Sequence, residues 1–239
     1  MLGVFDSGSG GLSVLKVLRA QAPHADVVYF GDIANAPYGE KTAAQLAALA
    51  HAGIAVLVRA GATEIVAACN SVSASVLEGA AGELPVIEMS LPVERFLQTL
   101  PTQRILLLAT PATVASGLYA RACAGHNLYS LPVPALAGAI EFGEPESSLQ
   151  NILHEALHPL ANEAFDLVLL GCTHYPLVRG LIEEELRRVC VFQKMIDPAE
   201  AVIGMVSKKF ITEGGGSLTF LISQESHVFR RRVAELFPK

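Results

Sequence analysis

The sequence predicts an α/β protein built from two similar units with mainly parallel sheets. Short apolar runs alternate with helix-like stretches along the whole chain. The runs are bounded by Gly, Pro, Asp or Asn, the punctuation expected of buried strands. The chain also echoes itself. Met1-Leu-Gly-Val-Phe-Asp-Ser-Gly-Ser-Gly-Gly11 and Ile105-Leu-Leu-Leu-Ala-Thr-Pro-Ala-Thr-Val114 both read as strand, polar turn, helix. At nearly equal intervals after Asp6 and Thr110, two further strands end in Cys69 and Cys172.

Strands are expected at Leu2–Phe5, Val27–Phe30, Glu64–Cys69, Pro85–Met89, Arg104–Ala109, Asn127–Val133, Asp166–Cys172, Val191–Ile196 and Leu218–Ile222, each short and apolar or β-branched. A helix from Leu12 stops before Pro23, and Thr42–Ala60 is an Ala/Leu-rich helix with Gly61 where a C-terminal cap belongs. Further helices are expected at Ala112–Ala124, Leu149–Ala164, Pro176–Val189, Pro198–Thr212 and Ser226–Phe237, and one from about Val72.

Composition bounds the function. With 51% apolar residues among 239, the chain has ample material for one large or two small cores. The mean hydropathy of +0.43 raises the question of a membrane span. Its best candidate, Ala43–Val58, contains Gln45 and His51 and is too short and polar to cross a bilayer. The N-terminus lacks the basic and long apolar regions of a signal peptide, so a cytoplasmic protein is expected. The net charge is −6, and Arg230-Arg231-Arg232 has no interleaved aromatics, so it reads as a solvated helix face and no nucleic-acid partner is expected. Of four cysteines, no two have CxxC spacing, which predicts free thiols and no metal.

Ligands of open α/β sheets sit beyond the carboxyl ends of the strands. Four polar clusters occupy such ends. Asp6-Ser7-Gly8-Ser9-Gly10-Gly11 lets backbone approach a ligand, although a tight turn alone explains it. Pro37-Tyr38-Gly39 is a turn that offers a phenol and a backbone N–H. Cys69-Asn70-Ser71 places a thiol at a helix N-terminus, where the dipole favours thiolate, against the alternative of a buried structural Cys. Gly171-Cys172-Thr173-His174-Tyr175-Pro176 adds a hydroxyl and an imidazole able to move protons. Two matched thiols suit inversion of an α-carbon without a cofactor. One face needs a base and the other an acid, and a thiol pKa of about 8.5 lies close enough to neutrality for either role.

These boxes, with Tyr29-Phe-Gly-Asp32 and Thr110-Pro-Ala-Thr-Val114, resemble bacterial glutamate racemases of the aspartate/glutamate racemase superfamily from about Leu2 to Asp197. The resemblance implies two facing α/β domains related by a pseudo-two-fold, residues 1–90 with 203–239 and residues 91–202, with the substrate in the cleft between them. It implies no cofactor or metal, glutamate as the small-molecule partner, a homodimer, and supply of D-glutamate for peptidoglycan. It implies that Cys69 serves D-glutamate and Cys172 L-glutamate, with Asp6, His174 and Glu141 assisting. Ser7, Tyr38 and Gly39 would hold the side-chain carboxylate. Asn70, Ser71, Thr113 and Thr173 would hold the α-carboxylate and amine, and Asp6, Pro37, Thr110 and His174 are implied as further substrate-binding residues. Ser71 stands where the family usually has Thr, keeping the hydroxyl without the methyl. The rival readings are an aspartate or hydantoin racemase-like sister enzyme and an inactive amino-acid-binding homologue.

Overall fold

The computed structural model describes residues 1–75 and 84–238. Among the described residues nine strands form two sheets: β1 (Leu2–Asp6), β2 (Val27–Gly31), β3 (Glu64–Ala67), β4 (Val86–Glu88), β5 (Arg104–Ala109), β6 (Asn127–Pro132), β7 (Ala164–Gly171), β8 (Val191–Ile196) and β9 (Leu218–Ile222). The first sheet runs β4-β3-β1-β2-β9 and the second β6-β5-β7-β8. Read outward from β8, the second order is β8-β7-β5-β6, which repeats β4-β3-β1-β2 strand for strand. Among the described residues the strands of both sheets pair in parallel. The α/β class with two parallel sheets is therefore as the sequence predicts.

Parallel strands need covering on both faces, and alternation along each strand sends side chains to two cores. In β1, Leu2 and Val4 join one cluster, while Phe5 joins another on the opposite face. In β5, Leu106 and Leu108 pack on one side and Ile105, Leu107 and Ala109 on the other. The covering helices are α1 (Leu12–Gln21), α2 (Ala43–Arg59), α3 (Asn70–Ser75), α4 (Ser90–Leu97), α5 (Pro111–Ala115), α6 (Leu118–Ala122), α7 (Leu136–Phe142), α8 (Glu146–Leu157), α9 (Arg179–Val189), α10 (Ala199–Val202), α11 (Lys208–Thr212) and α12 (His227–Leu236). Helix α2 starts on a capping box, with Thr42 accepting from the Gln45 N–H and the Gln45 side chain answering the Thr42 N–H. No described helix is long and apolar enough to cross a membrane.

Several expected helices are shorter or broken. Ala112–Ala124 splits into α5 and α6 at Gly117, whose φ of 67° is left-handed. The helix expected to Ala164 ends at Leu157. Pro159 opens a single 3-10 turn, Asn162 adopts a φ of 66°, and Ala164 already begins β7. Pro198–Thr212 falls into α10, a 3-10 turn and α11, because Val206 is extended and Ser207 turns away to donate to Glu64. Helices α4 and α7 had no counterpart among the expected elements. The last strand, β9, lies beside β2 in the first sheet, in register from Val27 with Leu218 to Gly31 with Ile222.

Candidate active site

Both sheets direct their carboxyl strand ends at one cleft. The cleft is lined by Ser7, Pro37, Tyr38, Gly39, Cys69, Asn70, Ser71, Thr110, Thr113, Ala137, Gly171, Cys172, Thr173 and His174. Of the predicted site residues only Asp6 and Glu141 are not in its wall. Both lie just behind it, fully buried, and are held by residues that line it or flank it.

The turn after β1 works across the cleft. Asp6 Oδ1 accepts from the Gly8 N–H at 2.9 Å, and Oδ2 accepts from the Thr173 hydroxyl at 3.0 Å. Tyr29 donates to the Gly8 carbonyl at 2.6 Å. A side chain on Gly8 would strike the Glu141 carboxylate at 2.6 Å, and one on Gly10 would strike His174 and Thr173 at 2.6 Å. These glycines therefore let the first unit's turn seat against the second unit's catalytic candidates.

Cys69 leaves β3 just beyond its last paired residue, with its N–H and that of Ala68 directed at the Phe5 carbonyl. Its thiol donates to the Ser7 hydroxyl at 3.6 Å. Burial, reinforced by the nearby Asp6 carboxylate, pushes the Cys69 thiol up to about 12. This corrects the expectation of a depressed thiol at a helix N-terminus. Amide and hydroxyl donors around the sulfur act in the expected direction, but desolvation exceeds them. Asn70 accepts a hydrogen bond from Tyr119, which reaches over from α6. Ser71 lies 3.4 Å from both Thr110 and Thr113, and the Thr110 hydroxyl donates to that of Thr113 at 3.0 Å. These three hydroxyls form one polar cluster from both units.

Cys172 sits at the equivalent end of β7, and its sulfur lies 3.8 Å from His174 Nδ1. The other ring nitrogen, Nε2, meets Glu141 Oε2 at 2.7 Å. Glu141 Oε2 also accepts from the Ser9 N–H at 2.9 Å and the Ser9 hydroxyl at 2.6 Å. Burial works against charge on His174, but its hydrogen bonds to Cys172 and Glu141 outweigh it and push the imidazole up to about 10. Burial likewise opposes charge on Glu141, yet His174 and Ser9 together hold its carboxyl below the usual range. Asp6 moves the other way, raised by burial against the pull of His174 and the turn amides.

Two further expectations change. The Tyr38 phenol is buried rather than offered to a ligand, and donates to Asp32 Oδ2 at 2.6 Å, where Asn35 also grips both carboxylate oxygens. The arginine run is not uniformly solvated. Arg230 and Arg231 are exposed and face Glu225 and Glu235, but Arg232 is only 13% exposed. It donates to the Ser9 hydroxyl and the Ile140 carbonyl, 3.8 Å from Glu141 Oε2. A helical reading would have found it: Phe229, Arg232, Val233 and Leu236 share the inward stripe of α12. Ser9, Asp32 and Tyr119 were likewise assigned no part by sequence. All four cysteines are free and buried. Among the described residues no three His, Cys, Asp or Glu side chains are grouped to hold a metal ion.

The Asp/Glu/hydantoin racemase family model matches residues 11–206. The glutamate racemase of Desulforudis audaxviator is 34% identical over 250 residues, spanning 96% of this chain and 90% of that one. The crystal structure of glutamate racemase from Francisella tularensis in complex with D-glutamate superposes with a TM-score of 0.84 at 28% identity, covering 100% of this chain and 93% of that one. A glutamate racemase isoform from Bacillus anthracis gives a TM-score of 0.86 at 26% identity, with 100% and 94% coverage.

Proposed function

The chain belongs to the Asp/Glu/hydantoin racemase family, and from that premise we propose that it interconverts L- and D-glutamate without a cofactor, by proton transfer between two thiols. The observation that carries the reading is the pair of equivalent strand ends, each bringing one cysteine into one small cleft. The substrate's α-carbon lies between the sulfurs. With D-glutamate, Cys69 as thiolate takes the α-proton and the Cys172 thiol delivers its own to the opposite face. With L-glutamate the roles exchange. Each turnover leaves the proton on the other sulfur.

The substrate ammonium assists by favouring an anionic sulfur in a water-poor site, which opposes the desolvation that keeps free Cys69 protonated. Donors fixed before the substrate arrives stabilise the carbanion-like state at the α-carboxylate. Asn70, the Ser71–Thr110–Thr113 hydroxyls and Thr173 supply them on this reading. Ser7 and the backbone of Tyr38 and Gly39 hold the side-chain carboxylate, since the Tyr38 phenol is engaged by Asp32. His174, backed by Glu141, keeps a proton beside Cys172, and Asp6 orders the turn that carries Ser7.

Residues 1–90 with 203–239 and residues 91–202 form the two facing domains of this reading, and a cytoplasmic homodimer supplying D-glutamate for peptidoglycan is its cellular setting. The test is to incubate the purified chain with pure L-glutamate, no cofactor added, and follow optical rotation. Decay to zero supports the reading. A stable rotation with L-glutamate, beside decay with L-aspartate or a hydantoin, assigns the chain to a sister activity instead.

A further inference from the structure

We propose that Arg232 is a positioning residue for the Cys172 half of the reaction: from α12 it fixes Glu141, and through Glu141 the His174 ring against the Cys172 sulfur. The inference rests on the racemase reading above and adds to it a residue outside the two cysteine boxes.

Burying a guanidinium is costly unless its donors and charge are answered. Arg232 is answered at two points beside Glu141. One is the carbonyl of Ile140, the residue immediately before Glu141 on α7. The other is the Ser9 hydroxyl, which in turn donates to Glu141 Oε2 at 2.6 Å. The guanidinium itself stands 3.8 Å from that same oxygen. Glu141 needs this company. Its side chain is 1% exposed, Oε2 takes the Ser9 and His174 donors, and Oε1 has no hydrogen-bond partner among the described residues. A cation beside the same carboxylate oxygen that meets His174 stabilises the anion that orients the ring.

Arg232 also spans the two halves. Helix α12 is packed on the first sheet, with the Phe229 ring 5.9 Å from that of Tyr29. Glu141 and His174 belong to the second sheet's side. The side chain thus ties the position of α12 to the geometry around Cys172. The titratable and charged groups about the cluster are Asp6 from β1, Tyr29 from β2, Cys172 and His174 from the turn after β7, Glu141 from α7, and Arg231 and Glu235 on α12 itself.

The experiment is the pH profile of kcat/KM for glutamate racemisation in the wild type, Arg232→Met, Arg232→Lys and Arg230→Met, with Glu141→Gln alone and combined with Arg232→Met. Removing the cation makes Glu141 easier to protonate, so in Arg232→Met the acid limb moves up by about one pH unit and the plateau falls by about tenfold. Arg232→Lys keeps the charge and recovers most of both. Arg230→Met, on the exposed face, matches the wild type. In the Glu141→Gln background Arg232→Met costs less than about twofold, because the two act as one unit. An unmoved acid limb, or an equal loss in both backgrounds, would overturn the proposal and leave Arg232 a simple brace for α12. If Arg232→Met does not fold, Arg232→Gln replaces it in the same comparison. A wild type that does not racemise glutamate defeats the racemase reading. A racemising wild type with an unchanged Arg232→Met defeats this inference alone.

Discussion

Cys69 and Cys172 leave equivalent strands of two sheets that share one strand order, yet the two sulfurs meet different company. Cys69 donates to a neutral hydroxyl and stands near the Asp6 carboxylate, in a buried pocket that pushes its thiol up to about 12. Cys172 faces an imidazole that Glu141 and Arg232 support from behind. Repetition of the fold supplies the placement of two thiols. It does not supply their chemistry, which each half builds from different side chains and borrows in part from the other: Thr173 holds Asp6, Tyr119 holds Asn70, and Ser9 holds Glu141.

If both thiols are needed on opposite faces, Cys69→Ala and Cys172→Ala each lower racemisation by about 10⁴-fold, read as loss of optical rotation over time. One variant retaining near wild-type activity would break the symmetric part of the comparison. The asymmetric part is tested by their neighbours. His174→Gln lowers kcat by about 10²-fold, and Ser7→Ala by about tenfold or less. Equal losses would mean that the imidazole gives Cys172 no advantage over a hydroxyl.

The bond between the halves is tested by Thr173→Val. It leaves Asp6 buried without its partner from the second half and destabilises the chain by about 1–3 kcal/mol, measured by urea unfolding. The asymmetry also predicts a pH dependence of stability. His174 is raised from its usual 6.5 to about 10 in the folded chain. Its contribution is therefore fully present below pH 6.5 and is lost as pH rises through about 10. The stability difference between wild type and His174→Gln shrinks across that window. A difference that grows with pH would mean that His174 is held neutral in the fold.

Much of the site is legible in sequence because strand ends are. A cysteine at the end of an apolar run, followed by small polar residues and a helix start, already fixes where Cys69, Asn70, Ser71, Cys172 and Thr173 must sit. The three strands Arg104–Ala109, Val191–Ile196 and Leu218–Ile222 match the expected residues end for end. What pattern does not carry is partnership at long range. Glu141 came only from resemblance, since α7 is seven residues long and is entered through Ala135 at φ 62°, a conformation that an alanine does not announce. Tyr38 reads as an exposed turn residue until Asp32 is placed beside it. Arg232 lies within a basic run, and only the inward stripe of α12 separates it from its two exposed neighbours. The Cys69 shift was misjudged because helix-end position is visible locally, whereas burial depends on everything packed around the sulfur.

The most direct measurement is the label pattern at early times when L-glutamate reacts in deuterium oxide. Two opposed thiols require that newly formed D-glutamate carry deuterium at the α-carbon while recovered L-glutamate carries none, because the proton removed and the proton delivered sit on different sulfurs. Protium retained in the product, or deuterium entering both enantiomers at the same rate, would contradict the account.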